Sequence, residues 1–401
     1  MTHFVGGNQI QLLRNGAEYF PALEAAIASA EHDIYLQTYI YEADVVGVHI
    51  ANMLKQAVLR GVTVNVLLDG FGCKDLPKHF TNDLERANVR VMFYRPKISP
   101  WSLQKRRLRR LHHKIVVIDG IIGFIGGINI IDDYDMPNHT PNNVPPRIDY
   151  AVRIEGGLLP VMSAIVHKLW RRISWAHLRT ENVGDAAAVQ HISPHNIPLD
   201  ESKQHTANQK TKAALVLRDN MLHRRDIEEA YLTAIANAKS EIIIANAYFV
   251  PGRRFRQALL EAAKRGVNVK LLLQGRMEYF LMFATHAFYN DFLKNGIEIY
   301  EYRKSFMHSK VAVIDSHWAT VGSSNIDPFS LFLAREANVL VKDSAFATEL
   351  RTDIIATIQE GAYRISSKEW AQGSIVKRLS SWLAYGLVRW FLGLIGQSNE
   401  Q

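Results

Sequence analysis

The chain has 401 residues, 48% of them hydrophobic, which is enough apolar mass for two ordinary domains and excludes wholesale disorder. Its 47 Lys+Arg against 39 Asp+Glu give a formal charge of +8, which favours an anionic partner such as lipid head groups or nucleic acid without choosing between them. The one cysteine, Cys73, excludes an intramolecular disulfide and reads as a spectator thiol.

The opening MTHFVGGNQIQLL lacks the basic and apolar regions of a secretory signal. AIASAEHDI at 26–34 is followed by the helical pattern GVHIANMLKQAVLR and the strand-like VTVNVLL, within RGVTVNVLLDG at 60–70. KISPWSLQKRRLRRLHHK at 97–114 is a basic and aromatic run that leads into HHKIVVIDGIIGFIGGIN at 112–129, and HKLWRRISW at 167–175 adds more of both residue types. Residues 179–212 are polar with little periodicity and read as a linker or mobile loop. The pattern then starts again, with AIANAKSEI at 234–242, FRQALLEAAKR, RGVNVKLLLQG at 265–275 and HSKVAVIDSHWATVGSSN at 308–325. Three segments repeated in the same order make the chain a duplication. Alternating helical and extended segments make each half α/β, a mostly β-sheet core flanked by helices. The expected organisation is a domain over 1–178, the linker, a second domain over 213–365 and a tail over 366–401. No stretch approaches the roughly 20 uninterrupted apolar residues of a spanning helix. The tail segment SWLAYGLVRWFLGLI at 381–395 is short and interrupted by Arg389, which suits a helix lying in a membrane interface.

The repeated motif carries the chemistry. IVVID and VAVID read as buried strands, and residues two apart on a strand share a face. His112 is therefore expected beside Lys114, and His308 beside Lys310, with His113 pointing away. Gly126 and Gly127, and Gly322 with Ser323, allow close backbone approach before Asn129 and Asn325. Imidazole, with an unperturbed pKa of about 6.5, serves as nucleophile or proton donor near neutrality. Two lysines and two asparagines would cradle a phosphoryl group whose charge must be held in the transition state. The adjoining lysines would repel a cation, so metal-independent chemistry is expected.

The two stretches match the HxKxxxxD pattern, with its following GG or GS and Asn, and so resemble the phospholipase D superfamily over nearly the whole chain. The resemblance implies two pseudo-symmetric domains with one active site at their interface. It also implies a phosphohistidine intermediate, with His112 as nucleophile and His308 as acid and base, and no cofactor. Asp119 and Asp315 belong to the catalytic motif, in a role more structural than chemical. Asp149 in RIDYAV and Glu336 in REANVLV are expected to orient the histidines, one from each half. Asn129, Asn325 and Ser323 are expected to bind phosphate; Gly127 stands where many members carry Ser, which leaves Ser323 as the hydroxyl donor.

ANAYFVPG at 245–252, YEYR at 300–303, the GG form of the first motif and HWATVGSSNIDPFSL at 317–331 are similar to bacterial cardiolipin synthases of the branch without N-terminal spans. The implied reaction moves a phosphatidyl group between two phosphatidylglycerols and releases glycerol. The implied setting is the anionic face of the bacterial inner membrane, with peripheral attachment on the cytoplasmic side and no nucleic acid or obligate protein partner. RMEYFLMFATHAFYNDFL at 276–293 reads either as core packing or as a lipid contact, the second suggested by a first-half counterpart that is much more polar. A phospholipase transferring to water, a transferase using another alcohol, a nuclease and a non-catalytic scaffold are the competing readings.

Overall fold

The computed structural model describes residues 2–96, 109–134, 144–181, 211–219, 223–276, 284–327 and 334–372, together with Leu383 and Gly386. In the first half, β1 (Val5–Arg14) and α1 (Asn15–Ala28) precede two parallel crossover units, β2 (Asp33–Thr38), α2 (Val45–Leu59), β3 (Thr63–Asp69), α3 (Lys78–Arg86) and β4 (Arg90–Tyr94). The short β5 (Arg110–Leu111) leads to the motif hairpin β6 (Lys114–Ile118) and β7 (Ile122–Gly126), then to β8 (Tyr150–Gly156) and α4 (Leu159–Glu181). The second half repeats the order with β9 (Thr211–Arg218), α5 (Asp226–Asn237), β10 (Glu241–Asn246), α6 (Arg253–Lys264), β11 (Asn268–Gln274), α7 (Tyr289–Lys294) and β12 (Glu298–Tyr302). Its motif hairpin is β13 (Lys310–Ile314) and β14 (Trp318–Gly322), followed by β15 (Ala334–Lys342), α8 (Ser344–Gly361), β16 (Ala362–Ile365) and α9 (Ser367–Gln372).

One mixed sheet runs through both halves in the order β16-β12-β11-β10-β13-β14-β15-β9-β1-β8-β7-β6-β2-β3-β4. Apart from β16, the order reads the same outward from the antiparallel β1–β9 pair in either direction. The unbroken apolar runs of the motif strands follow from burial on both faces. Ile115 and Val117 enter a central core shared with Val311 and Val313 and covered by α4 and α8. Val116 and Ile118 enter the core under α1 and α2, and Ala312 and Ile314 the core under α5 and α6. Burial of each such large aliphatic side chain contributes about 1.5–3 kcal/mol.

Local sequence sets the flanking helices. Asp44 caps α2 by accepting the Gly47 N–H at 2.8 Å, Ile50, Leu54 and Ala57 fall on its buried face, and Gly61 at φ +96° turns the chain after it. Asp343 caps α8 through the Phe346 N–H in the same way.

The helix α4 continues to Glu181 and β9 begins at Thr211, so regular structure extends into both ends of the segment read as a linker; residues 182–210 lie outside the described residues. So do residues 97–108 of the basic run and most of the tail. Among the described residues no helix is long and apolar enough to cross a membrane. Of the two readings of segment 276–293, core packing holds for its described part. Ala284, Phe288, Tyr289 and Phe292 pack in the second-half core; residues 277–283 lie outside the described residues.

Asp119 and Asp315 lie at the far ends of β6 and β13 from the motif lysines, so their grouping with the catalytic residues is corrected. Both turn the chain with φ of 52°. The Asp119 carboxylate accepts the N–H groups of Glu31, His32 and Asp33, each at 2.8 Å. Asp315 accepts those of Lys239, Ser240 and Glu241 at 2.8–2.9 Å. Partial burial pushes the Asp315 carboxyl up, but these donors outweigh it and hold its pKa below the ordinary value. A depressed folded pKa stabilises above the unfolded value and is lost as pH falls through the folded one. Asp119→Ala and Asp315→Ala should each lower the unfolding free energy by about 1–3 kcal/mol, because three backbone donors lose their acceptor. Denaturant titration measures this, and unchanged midpoints would show that the turns hold without their carboxylates.

Candidate active site

The motif lysines sit on the first residues of β6 and β13, buried at 4% and 0% exposure. Each Nζ donates back to the carbonyl of the histidine two residues earlier, Lys114 to His112 at 2.7 Å and Lys310 to His308. The shared face expected from strand spacing is therefore present. His113 turns the other way and meets Gln37 Oε1 at 2.8 Å.

The histidines are oriented across the interface between the halves. His112 Nδ1 lies 2.9 Å and 3.1 Å from the two carboxylate oxygens of Glu336, and His308 Nδ1 lies 2.7 Å from Asp149. Each carboxylate thus serves the histidine of the other half. The backbone imposes this arrangement. β5 pairs in parallel with the start of β15, and the Arg335 carbonyl accepts the N–H groups of His112 and His113 at 3.0 and 2.8 Å. Symmetrically, Ile148 bridges Met307 in parallel, and its carbonyl accepts the His308 N–H at 2.8 Å. The carboxylate residue follows Arg335 or Ile148 directly, so it arrives beside the imidazole. A carboxylate on Nδ1 fixes the tautomer and leaves Nε2 for chemistry.

Burial dominates the electrostatics. It lowers the pKa of both imidazoles, His308 to about 3 with Lys310 adding to the effect, while Asp149 and Glu336 oppose the shift at their own histidines. It also brings Lys114 down to about 8 and Lys310 to about 7. Burial alone would raise Asp149, but Lys310 and His308 beside it hold its carboxyl below the ordinary value. Each lysine's charge also acts on the histidine of the other half, so the two motifs form one site.

A family model described as cardiolipin synthase, PLD-like domain, matches residues 23–135 and 231–357. The chain belongs to this phospholipase D-like cardiolipin synthase family. It is 39% identical over 391 residues to cardiolipin synthase B of Shigella flexneri, covering 97% of this chain and 90% of that one. It is 29% identical over 370 residues to cardiolipin synthase 1 of Bacillus cereus, covering 92% and 70%. The crystal structure of a phosphatidylserine synthase from Haemophilus influenzae shares the fold, with a TM-score of 0.67 over 98% of this chain and 95% of that one, at 13% identity.

Ser323 departs from the expected phosphate-binding role. Fully buried, its hydroxyl donates to Glu336 Oε2 at 2.5 Å and accepts the Ala337 N–H. It braces the carboxylate that holds His112. At the matching place, an added Cβ on Gly127 would stand 2.3 Å from Asp149 Oδ1, so glycine makes room for that carboxylate. Asn129 Oδ1 accepts the Ile40 N–H at 3.1 Å, which directs its amide nitrogen elsewhere. Asn325 Oδ1 is buried and accepts no hydrogen bond among the described residues. Sequence reasoning missed Tyr39, whose ring lies 4.6 Å from that of His112 and 5.4 Å under the Lys114 ammonium. Phe306, stacked 6.2 Å from His308, was missed as well. The signal for Tyr39 was its counterpart in the repeat, Ala247 at the same offset of 208 (247 − 39) as AIANAKSEI.

Glu336→Gln should shift the side-chain nitrogen resonances of His112 and leave those of His308 in place, and Asp149→Asn should do the reverse. Heteronuclear NMR of histidine-labelled protein reads this directly. Effects confined to the histidine of the same half would contradict the crossed pairing.

Proposed function

We propose that the protein is a cardiolipin synthase that transfers a phosphatidyl group from one phosphatidylglycerol to the glycerol hydroxyl of another, releasing glycerol. The observation that carries the reading is the pair of crossed histidine–carboxylate contacts flanked by buried lysines, in a chain similar over nearly its whole length to cardiolipin synthases. His112 Nε2 attacks phosphorus, a P–N bond forms, and the P–O bond to glycerol breaks as His308 delivers a proton to the leaving oxygen. The hydroxyl of the second phosphatidylglycerol then gives its proton to His308 and displaces His112. One phosphodiester replaces another, so no nucleotide is consumed.

The charges supply the acid. Lys114 and Lys310 face the carboxyl groups of Asp149 and Glu336, and burial keeps both imidazoles neutral. A phosphodiester adds one negative charge beside the lysines and weakens the repulsion that Lys310 exerts on His308. The imidazole then gains the proton that the leaving glycerol needs. Lys114, Lys310, Asn129 and Asn325 are the groups that hold the phosphate. The protein works at the surface of an anionic membrane, peripherally and on the cytoplasmic side.

Purified protein incubated with labelled phosphatidylglycerol vesicles should yield cardiolipin and glycerol in equal amounts, with no divalent metal required. Phosphatidic acid as the main product would replace the reading with a hydrolase. His112→Ala and His308→Ala should each lower turnover by at least about 10²–10⁴-fold, and only His308→Ala should accumulate a phosphatidyl-enzyme. Because the lysines titrate near pH 7–8 in the empty site, kcat/KM should fall as pH rises through that range and the ammonium charge is lost. The fall in kcat should come at higher pH, where bound phosphate holds the protons on. A kcat/KM that is flat up to pH 10 would remove the lysines from phosphate binding.

A further inference from the structure

Apolar side chains crowd one side of the mouth of the site. Of the ten large hydrophobic residues exposed among the described residues, Val45, Val48, Phe71, Tyr134 and Trp175 lie on segments that adjoin one another around the first-half side. Asp69 ties two of these segments together, accepting the Phe71 N–H at 2.8 Å and the Leu111 N–H at 2.7 Å, one residue before His112. The Cys73 thiol donates to the Tyr39 carbonyl, which holds the Phe71 loop beside the end of β2. Asp44, just before Val45, accepts the Asp132 N–H, and Asp132 accepts that of Tyr134. On the other flank, Leu111 packs with Leu169, Trp170 and Ile173 of α4, which carries Trp175. These contacts link the segments that carry Trp175, Phe71, Val45 and Tyr134 to one another in turn.

Cations are set into it. The Arg110 guanidinium lies 5.0 Å and the Lys74 ammonium 5.7 Å from the centre of the Phe71 ring, while Arg171 and Arg172 are exposed near Trp175. Among the described residues, two of the matching second-half positions are basic. Val45 corresponds to Arg253 at an offset of 208, and Phe71 to Arg276 at an offset of 205. Among the described residues, the first half thus presents Val45 and Phe71 where the second presents Arg253 and Arg276. Exposed aromatic and aliphatic groups interleaved with cations match the boundary between the head groups and acyl chains of an anionic bilayer.

We infer that the first-half rim, with Val45, Phe71, Tyr134 and Trp175 at its crest, inserts into an anionic bilayer while the second-half arginines rest on the head groups. The enzyme then sits with its mouth against the membrane, independently of the tail. The inference rests on the phosphatidylglycerol reading above, since it gives that substrate a path into the site without leaving the bilayer.

Helix α2 provides an internal control, because Val45 at its start is 80% exposed and Leu59 at its end 79%. Cys73 is buried with its thiol pushed up to about 12, so an environment-sensitive NBD label goes to an introduced cysteine. With the full-length protein and vesicles of equal phosphatidylglycerol and phosphatidylcholine, the label on Val45→Cys should brighten severalfold and shift to the blue. The label on Leu59→Cys should not change. Equal responses at both positions, or none at position 45 while the protein sediments with the vesicles, would overturn the inference. A response at position 45 that rises with protein concentration without lipid would assign the face to a second copy and overturn it as well. Trp175→Ser should weaken vesicle binding by about tenfold while turnover of short-chain phosphatidylglycerol dissolved as monomers is kept; unweakened binding counts against the rim. Insertion at position 45 without cardiolipin formation defeats the proposed activity and leaves the surface standing. Cardiolipin formation with position 45 silent does the opposite.

Discussion

Two parallel bridges between the halves, Leu111 with Arg335 and Ile148 with Met307, are the constraint on which the site depends. Each ties the residue before a motif histidine to the residue before a carboxylate of the other half. The strand period does the rest, since fixing one backbone pair fixes which neighbouring side chains meet. Without these bridges each half would keep its lysine beside its histidine, because that contact is local. Neither half would keep an oriented imidazole. Duplication with crossing therefore makes the site a property of the pair, and it explains why the central core is shared between the halves.

The crossing also explains where the two halves are allowed to differ. Asp149 is the shorter carboxylate, and Gly127 leaves open the space it occupies. Glu336 carries one more methylene, and Ser323 donates a hydrogen bond that fixes the longer side chain. The glycine and the serine are therefore matched to the carboxylate of their own half, while each carboxylate acts on the other. A swap of Asp and Glu alone would leave Asp without its brace on one side and push Glu against glycine-sized space on the other. Tyr39 against Ala247 is a further asymmetry, which places an aromatic wall beside His112 alone.

Much of this was legible in the sequence. The duplication, the α/β alternation and the His-x-Lys face all follow from period and spacing, and they follow because each depends on residues close together in the chain. The crossing was not legible, because RIDYAV and REANVLV fit partners in their own half as well as in the other. Only backbone pairing between segments 224 and 159 residues apart distinguishes the two. Ser323 was misread for a related reason. A serine after the motif strand looks like a donor for substrate until the carboxylate 13 residues later is found against it, fully buried. Whether Phe288 and Phe292 face lipid or the core was not legible, because composition records apolarity and not direction. Five of the exposed large apolar residues described lie on the first-half rim, where the sequence hid them as single residues on separate segments.

Burying Lys114 and Lys310 is the costly element of the design, and its cost shows in how far both pKa values fall. A desolvated ammonium is kept charged only by nearby negative charge. Asp149, 3.8 Å from Lys310, supplies part of it and shares it with His308. Asp149 is thus shared between the Lys310 ammonium and the neutral His308 imidazole. A bound phosphodiester satisfies the lysine and leaves the carboxylate to the imidazole. On the mechanism proposed above, that is the arrangement required when His308 must carry a proton, and it would make substrate binding and acid formation one electrostatic event. The same accounting sets the direction of specificity. On the same mechanism an uncharged ester would leave His308 neutral, and an anionic phosphodiester would be favoured by its charge before any contact with the alcohol is made.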